Sequence, residues 1–212
     1  MAIEIQGNYE DAYRQAVKEF SEKDPHLMAR WSKARFDREK SVFCMRYCAT
    51  DYFIHYPTGK FDTEEKIAIP LTDQIIMLQY LTQASGMPIR NRWLSFMELP
   101  GGPHHYAPFR QEAINPISQT FGDRLELFRQ VALSLDGKAT DMGDAGYILP
   151  VLPGLPLAYI LWQGDEEFPP NANILFDYSA STYLPTATLY VLGINTTLKM
   201  LERARKFESR TV

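Results

Sequence analysis

Two adjacent histidines follow a pair of glycines between Pro100 and Tyr106, and they are the side chains best suited to chemistry. Gly101 and Gly102 allow a backbone to approach a ligand closely, so both are candidate ligand-binding residues. An imidazole serves as a metal ligand or a general base, so His104 and His105 are candidate catalytic residues. Because adjacent side chains on a strand point to opposite faces, both reach one metal ion only from an irregular loop. The alternative is a turn with one histidine packed and the other solvated.

Three successive carboxylates, Asp165 to Glu167, follow a strongly apolar segment that ends at Trp162. Adjacent carboxylates repel one another unless a cation, water or backbone donors offset their charge. The run is therefore a candidate Mg²⁺ or Ca²⁺ site, with Trp162, Asp165 and Glu166 as candidate ligand-binding residues. The alternative is structural, because Asp165 can cap a single helical turn while Phe168 packs beneath it.

Other acids lie at the ends of expected strands or beside glycine, where they usually cap turns. Glu98 lies in the loop that leads to the histidines and is a further catalytic candidate. Asp177 is a further candidate metal ligand, and the complete set of such candidates is His104, Asp165, Glu166 and Asp177. No nucleophile elbow, phosphate-binding loop, dinucleotide fingerprint or HExxH helix is present.

The two loops that carry most of these candidates, 98–105 and 162–168, both follow expected strands. If those strands are neighbours that end on the same side of a sheet, the loops converge. We then expect a cleft lined by His104, Glu98, Trp162, Asp165 and Glu166.

The chain has only two cysteines, Cys44 and Cys48. Alternating apolar residues predict one strand from Ser41 to Thr50, and on it the two thiols lie about 13 Å apart. That separation excludes a disulfide and a shared zinc ion, so we interpret both as core residues. With no other cysteine, the chain cannot by itself hold a four-cysteine iron–sulfur cluster.

The elements that position these residues alternate between helical and strand spacing without a regular βαβ rhythm. We expect helices in the first 40 residues, over 72–84, over 109–115 with a stop at Pro116, over 123–135 and from about Thr186. The last helix should place Leu189, Ile194, Leu198 and Leu201 inward, and its basic residues Arg203, Arg205 and Lys206 suit the helix dipole. Strands are expected over 41–50, 52–56, 60–61, 93–99, 157–162 and 174–176. The predicted fold class is α+β, a mostly antiparallel or mixed sheet packed against several helices, with a long C-terminal helix.

Length, composition and charge restrict the setting. The 212 residues predict a single domain, 1–212, with an N-terminal helical segment at 1–40 and a sheet-and-helix body at 41–208. A net charge of −4 disfavours a nucleic-acid partner held mainly by charge. The first residues lack the apolar core of a secretory signal, and the longest apolar run is too short for a membrane span. We therefore expect a cytoplasmic protein with no membrane partner.

Several motifs resemble those of an uncharacterised family, domain of unknown function 3786, found chiefly in anaerobic bacteria and archaea. The matching segments are Trp93–Gly102, Leu149–Pro153, Trp162–Pro169, Leu175–Asp177 and Tyr183–Thr186. The resemblance extends from about Val42 to Leu198, and its most specific part is the W-x-G-D-E-E-F-P run. Some relatives resemble proteins with an added cysteine-rich iron–sulfur domain. The resemblance therefore implies that a cluster-related role of this chain involves a partner, of iron–sulfur or corrinoid type.

Three functions remain open at this stage. The leading interpretation is a non-catalytic binding or accessory domain of anaerobic redox or one-carbon metabolism, and this metabolic setting comes from the resemblance alone. The second is a hydrolase or transferase that uses histidine and Asp or Glu around a divalent metal ion with a bound water. The third is a structural oligomeric protein in which the motifs only maintain turns.

Overall fold

The computed structural model describes residues 2–209 of the chain, and the side chains from Tyr9 onward. Its helices are α1 Ala2–Glu22, α2 Pro25–Ser32, α3 Leu71–Gln83, α4 Tyr106–Phe109, α5 Asn115–Phe121, α6 Leu125–Ser134 and α7 Thr186–Glu208. Its strands are β1 Arg35–Asp37, β2 Val42–Tyr47, β3 Thr50–His55, β4 Lys60–Thr63, β5 Trp93–Ser95, β6 Lys138–Thr140, β7 Ala145–Leu152, β8 Leu155–Trp162 and β9 Asn171–Asp177. Within this part of the chain, none of the helices combines the length and apolarity needed to cross a membrane.

The strands form two antiparallel sheets. One has the order β1-β2-β3-β4, and the other has the order β5-β9-β8-β7-β6. Both sheets and the packed helices contribute to one continuous cluster of buried apolar side chains. The α+β class and the long C-terminal helix are thus confirmed. Helices α1 and α2 lie in the expected N-terminal helical segment 1–40, which also contains strand β1.

The first sheet differs from the prediction at a point that matters for the site. The expected strand 41–50 is interrupted by a two-residue hairpin turn at Cys48 and Ala49, with Tyr47 and Thr50 paired on either side. Both turn residues have left-handed backbones, with φ of 48° and 62°. Hairpin turns with this geometry usually contain Asn-Gly. The residue types Cys and Ala therefore do not predict a turn at these positions. Cys48 is therefore a turn residue, although it is 4% exposed, as expected for a core thiol.

The second sheet is built around β8, whose residues are buried up to Leu161, as the apolar run predicts. Its neighbour β7 was not predicted, because Gly146 and Pro150 interrupt the pattern. The sheet accommodates Pro150 at a register shift between Leu149 and Leu152, where a strand tolerates a residue without an N–H donor.

The segment between the two parts of the second sheet is more helical than expected. Helices α4 and α5 are joined by a π-helical turn, Arg110–Ile114, so helical backbone continues past the expected stop at Pro116. Pro116 lies in the first turn of α5, directly after the π-helical turn. The Ala113 carbonyl in this turn accepts a hydrogen bond from the Thr197 hydroxyl of α7 at 3.1 Å.

Helix α7 packs against α3, α5 and α6 and ends beside the β2–β3 hairpin. The buried face of α7 is rotated by part of a turn from the predicted one, because Leu198 is 55% exposed while Thr196, Thr197 and Met200 are buried. The inward position of Leu198 was therefore a wrong prediction. The rotation directs Lys199 and Arg203 towards the hairpin instead of into bulk solvent.

Candidate functional site

The loop 162–168 is a turn held by local hydrogen bonds. Asp165 Oδ1 accepts hydrogen bonds from the N–H groups of Glu167 and Phe168 at 2.8 and 2.7 Å. These bonds lower the pKa of Asp165, and the bond from Phe168 has the larger effect. The capping interpretation of Asp165 is borne out, but the turn is not helical and Phe168 is 67% exposed. The packing of Phe168 beneath the turn, which the structural alternative included, was wrong, because the Asp165 and Asp144 carboxylates hold the loop through its backbone N–H groups. Trp162 is 39% exposed and Glu166 is exposed.

The loop that contains Glu98 and the glycines is likewise held by local bonds. Glu98 Oε2 accepts from Ser95 N–H at 2.7 Å and from Ser95 Oγ at 2.8 Å, which lowers the pKa of Glu98. Gly101 has a left-handed backbone with φ of 74°. A Cβ on Gly102 would lie 1.9 Å from the Phe96 carbonyl oxygen, so this position excludes any side chain. These glycines are required by the turn itself.

The two histidines lie on a single 3₁₀ turn, Gly102–His105, and both are exposed. The His105 ring contacts the edge of Tyr190 with 6.5 Å between centroids. His104 makes no comparable ring contact in the described part of the chain. The alternative of one packed and one solvated histidine is therefore wrong, because His105 is exposed as well and only its ring contacts Tyr190.

Asp177 lies far from Asp165 and Glu166. Trp162 pairs with Asn171 at one end of β9, and Trp93 pairs with Asp177 at the other end. The two ends of the strand are about 20 Å apart. Asp177 is fully buried, and its oxygens accept hydrogen bonds from Arg90, Asn91 and Ser179. Among the described residues, no three His, Cys, Asp or Glu side chains are grouped closely enough to hold one metal ion.

The loops 98–105 and 162–168 leave the sheet in the same direction, because β5 and β8 are both antiparallel to β9. Their starting points are offset, since Ser95 lies opposite Leu175 whereas Trp162 lies opposite Asn171. Four residues along β9 correspond to about 13 Å. The shared cleft between these loops stays a prediction.

A different cleft has the characteristics of a binding site. We call it the α7 cleft: it has a volume of about 460 Å³ and lies between the end of α7, the β2–β3 hairpin and the segment after β4. It is lined by Cys48, Thr50, Tyr52, Glu65, Ile67, Ser134, Lys199, Glu202, Arg203, Lys206 and Phe207. Small-molecule sites commonly have volumes of about 300–1,000 Å³. The cleft is therefore large enough for a metabolite.

A buried ion pair lies at the back of the α7 cleft. Lys199 Nζ is 2.7 Å from Asp73 Oδ2, and the Asp73 side chain is 1% exposed while that of Lys199 is 23% exposed. Tyr47 and Asn195 donate to Asp73 Oδ1 at 2.9 and 2.7 Å. Burial by itself would lower the pKa of Lys199, but the Asp73 carboxylate outweighs it and the pKa is raised. Lys199 is thus a fixed ammonium ion that faces the cleft.

Arg203 is the second fixed cation of the α7 cleft. Its Nη1 donates to the Ser134 carbonyl at 2.6 Å and its Nη2 to the Cys48 carbonyl at 3.4 Å. In the described part of the chain it forms no ion pair with a carboxylate. Two backbone contacts therefore orient the guanidinium group without neutralising it, and further N–H groups remain to bind a ligand.

The hairpin turn that Arg203 contacts carries backbone strain. A left-handed backbone at Cys48 and at Ala49 costs energy that glycine would avoid, and such strain clusters at functional sites. The Cys48 N–H donates to the Val151 carbonyl at 3.0 Å, and the Cys48 thiol lies 3.8 Å from the Thr196 hydroxyl. Burial raises the pKa of Cys48 to about 12, so the thiol stays protonated and unreactive.

Sequence reasoning missed the α7 cleft. Lys199, Arg203 and Lys206 recur at helical spacing on one face of α7, which is a signal for a shared cationic surface. Two of them were attributed to the helix dipole instead. The other signal was Asp73 in an otherwise apolar, buried helix, because such an acid needs a buried partner.

Comparison with known proteins adds one match. Residues 24–198, most of the chain, match the family model described as a domain of unknown function, DUF3786. Neither the curated proteins nor the solved structures include one with significant similarity to this chain. The match includes the hairpin turn, Asp73 and the loops 98–105 and 162–168, and it ends just before Lys199. This match shows that the chain belongs to the DUF3786 family.

Proposed function

We propose that this protein is a binding domain whose α7 cleft holds a small carboxylic acid that also carries an amino or hydroxyl group. The observation that carries the proposal is the buried Asp73–Lys199 pair, which presents a fixed ammonium ion to the cleft. A buried ion pair seldom adds stability over a well-packed apolar pair, so a chemical role is a good reason for its presence.

The charges of the α7 cleft indicate how such a ligand binds. Lys199 and Arg203 supply hydrogen-bond donors and positive charge for a carboxylate. Glu65, which lines the same cleft, supplies an acceptor for an amino or hydroxyl group. Tyr52 and Ile67 add apolar surface for a short aliphatic chain. The three features together select a small acid with a polar substituent over a plain fatty acid or a bare inorganic anion.

Protonation states favour binding over catalysis at this site. Cys48 is a protonated thiol and Lys199 a charged ammonium group, so neither is a nucleophile at neutral pH. Burial also raises the pKa of Tyr52, so this phenol is not a base. These groups can hold an anion, but they do not activate one.

The proposal is tested by calorimetric titration of the protein with three acids that share a carbon skeleton: 2-aminopentanoate, 2-hydroxypentanoate and pentanoate. We expect saturable binding of the two substituted acids and weaker binding of pentanoate. Arg203→Gln should weaken binding about tenfold or more, since a charge-assisted hydrogen bond is lost. Arg205→Gln is the matched control, because Arg205 is exposed on the same helix and does not line the cleft.

Two outcomes would contradict the proposal. One is the absence of saturable binding of both substituted acids to the wild-type protein. The other is an equal loss of affinity in Arg203→Gln and Arg205→Gln, which would indicate only a general effect of charge. Arg203→Lys keeps the charge without the planar fork, and circular dichroism of each variant verifies that it is folded.

The wider setting belongs to the proposal as well. A small-molecule binding domain is consistent with the accessory role in anaerobic redox or one-carbon metabolism that the family resemblance implies. That role, a cytoplasmic location and an iron–sulfur or corrinoid-type partner stay predictions. Purification of the protein from its source under anaerobic conditions, followed by identification of co-purifying proteins, tests the partner.

A further inference from the structure

A second pocket lies where the loop between α3 and β5 meets the residues that follow β9. We call it the arginine pocket: it has a volume of about 310 Å³ and is lined by Met87, Arg90, Arg92, Tyr178, Ser179 and Thr182. It shares no lining residue with the α7 cleft. We propose that the arginine pocket binds the phosphate monoester group of a small organic molecule, between Arg90 and Arg92.

Both charged side chains that line the pocket, Arg90 and Arg92, are cations. No carboxylate is among its lining residues, and neither arginine forms an ion pair in the part of the chain that the structure describes. Glu98 is close enough for Arg92 to contribute to its lowered pKa, but Glu98 stands outside the pocket and is held by Ser95. On a protein of net charge −4, two such cations at one pocket create a local site for an anion.

The guanidinium groups are placed by contacts that leave their donors available. The Arg92 guanidinium carbon lies 4.8 Å from the centroid of the Tyr178 ring, and Arg90 Nη2 lies 4.0 Å from the Met87 sulfur. A guanidinium group that stacks on a ring keeps its N–H groups in its own plane, where they can bind an oxyanion.

Asp177 makes the backbone around the pocket rigid. Its buried carboxylate accepts hydrogen bonds from Arg90 N–H at 3.1 Å and Asn91 N–H at 2.7 Å on one side. On the other side it accepts from the N–H and the hydroxyl of Ser179, at 3.0 and 2.6 Å. One carboxylate thus fixes both segments that line the pocket, which reduces the entropy lost when a ligand binds. Asp177 is a positioning residue here, in place of the metal ligand that its sequence position suggested.

Two arginines at one pocket favour a phosphate monoester over a carboxylate as the ligand. A phosphate monoester carries about two negative charges at neutral pH and three terminal oxygens, enough for contacts with two guanidinium groups. A carboxylate has two oxygens, and one arginine already satisfies both. The organic part of the ligand can lie against Met87 and Tyr178, which are 38% and 52% exposed.

The test uses phenyl phosphate, inorganic phosphate and benzoate as probes in calorimetric titrations of the full chain. We expect phenyl phosphate to bind most tightly, and its affinity to fall about tenfold in Arg90→Gln and in Arg92→Gln. Its affinity should rise as pH increases through about 6, where the second phosphate proton is lost, while that of benzoate stays constant. Arg110→Gln is the matched control, because Arg110 is exposed and lies outside the pocket.

Each alternative result overturns the proposal or a defined part of it. Absence of saturable phenyl phosphate binding, or an equal loss in Arg110→Gln, contradicts a phosphate site at these arginines. Equal affinity for phenyl phosphate and inorganic phosphate contradicts recognition of an organic group by Met87 and Tyr178. Arg203→Gln should leave phenyl phosphate binding unchanged, which separates this inference from the proposed function of the α7 cleft. Arg90, Arg92 and Arg110 are all exposed, so their glutamine variants should remain folded.

Discussion

Substitution of either partner of the Asp73–Lys199 pair should lower the free energy of unfolding. In the double variant, the loss should be smaller than the sum of the two single losses. With 2.7 Å between the charged atoms, their attraction is about 6 kcal/mol at an effective dielectric constant of about 20. Desolvation of the two charges offsets several kcal/mol of this attraction, so the net contribution of the pair is small. A single substitution, however, leaves one buried charge without its partner.

We expect Lys199→Met, which leaves the buried Asp73 carboxylate without its cation, to lower the free energy of unfolding by about 3–5 kcal/mol. Asp73→Asn should cost less, about 1–3 kcal/mol, because the Lys199 side chain is 23% exposed to the cleft. In Lys199→Met, the Asp73 carboxylate keeps only the hydrogen bonds from Tyr47 and Asn195. The double variant should be more stable than the sum of the single effects predicts, by about 2 kcal/mol or more. Urea unfolding followed by circular dichroism measures all four proteins of the cycle.

The matched control is the ion pair between Lys206 and Glu202 on the surface of α7, which has the same N–O distance of 2.7 Å but side chains 67% and 61% exposed. The corresponding cycle, with Lys206→Met and Glu202→Gln, should give a coupling of only about 0.5 kcal/mol. A coupling at Asp73–Lys199 no larger than this control would refute the reasoning, because it would show that burial does not strengthen the pair.

The pH dependence gives a further check of the same pair. The pKa of Lys199 is raised in the folded state above its ordinary value of 10.5. A raised pKa of a lysine contributes stability that is complete below the unfolded-state pKa and is lost as pH rises through the folded-state pKa. The coupling should therefore be constant from neutral pH to about pH 9 and should decline only in more alkaline solution.

Four further substitutions test individual features of the fold by urea unfolding. Ala49→Gly should raise the free energy of unfolding by about 0.5–1 kcal/mol, because φ is 62° there, and a loss of stability would contradict the strain. Gly102→Ala should lower the free energy of unfolding by about 2 kcal/mol or more, since its Cβ would lie 1.9 Å from the Phe96 carbonyl oxygen. Gly101→Ala has open space around the new Cβ, so it should lower the free energy of unfolding by only about 1 kcal/mol. An equal cost at both glycines would contradict that comparison. Phe168→Ser should change stability by no more than about 0.5 kcal/mol, because the ring is 67% exposed, and a larger loss would indicate packing beneath the loop after all.

Local patterns in the sequence were sufficient for the fold class and for several individual elements. The continuous apolar run of β8 predicted a strand buried on both faces, and turn residues after Tyr56 predicted the meander of the first sheet. The hairpin turn at Cys48 and Ala49 could not be predicted, because its residue types are those of a strand and the strain is sustained by contacts with Val151 and Arg203. Prediction failed there because tertiary contacts override the local preference.

Local patterns were less informative about the candidate site. They identified Asp165 as the residue that caps its turn, because that interaction involves only neighbouring residues. The α7 cleft, by contrast, joins a hairpin, a loop and the end of a helix that are far apart in sequence. Asp73 and Lys199 are separated by 126 positions, and only the packing of α3 on α7 brings their charges together. A buried acid and a helical row of cations were visible separately, but not their proximity.

The central claim, that the α7 cleft binds a small substituted acid, is tested most directly by mapping the position of the ligand in solution. The measurement is a ¹H–¹⁵N correlation titration of the labelled protein with 2-hydroxypentanoate, recorded for the wild type and for Arg203→Gln. We predict saturable shifts at Thr50, Ile67 and Ser134, which line the cleft, and their loss in the variant. Saturable shifts confined to other surfaces, or no shifts at all, would contradict the claim.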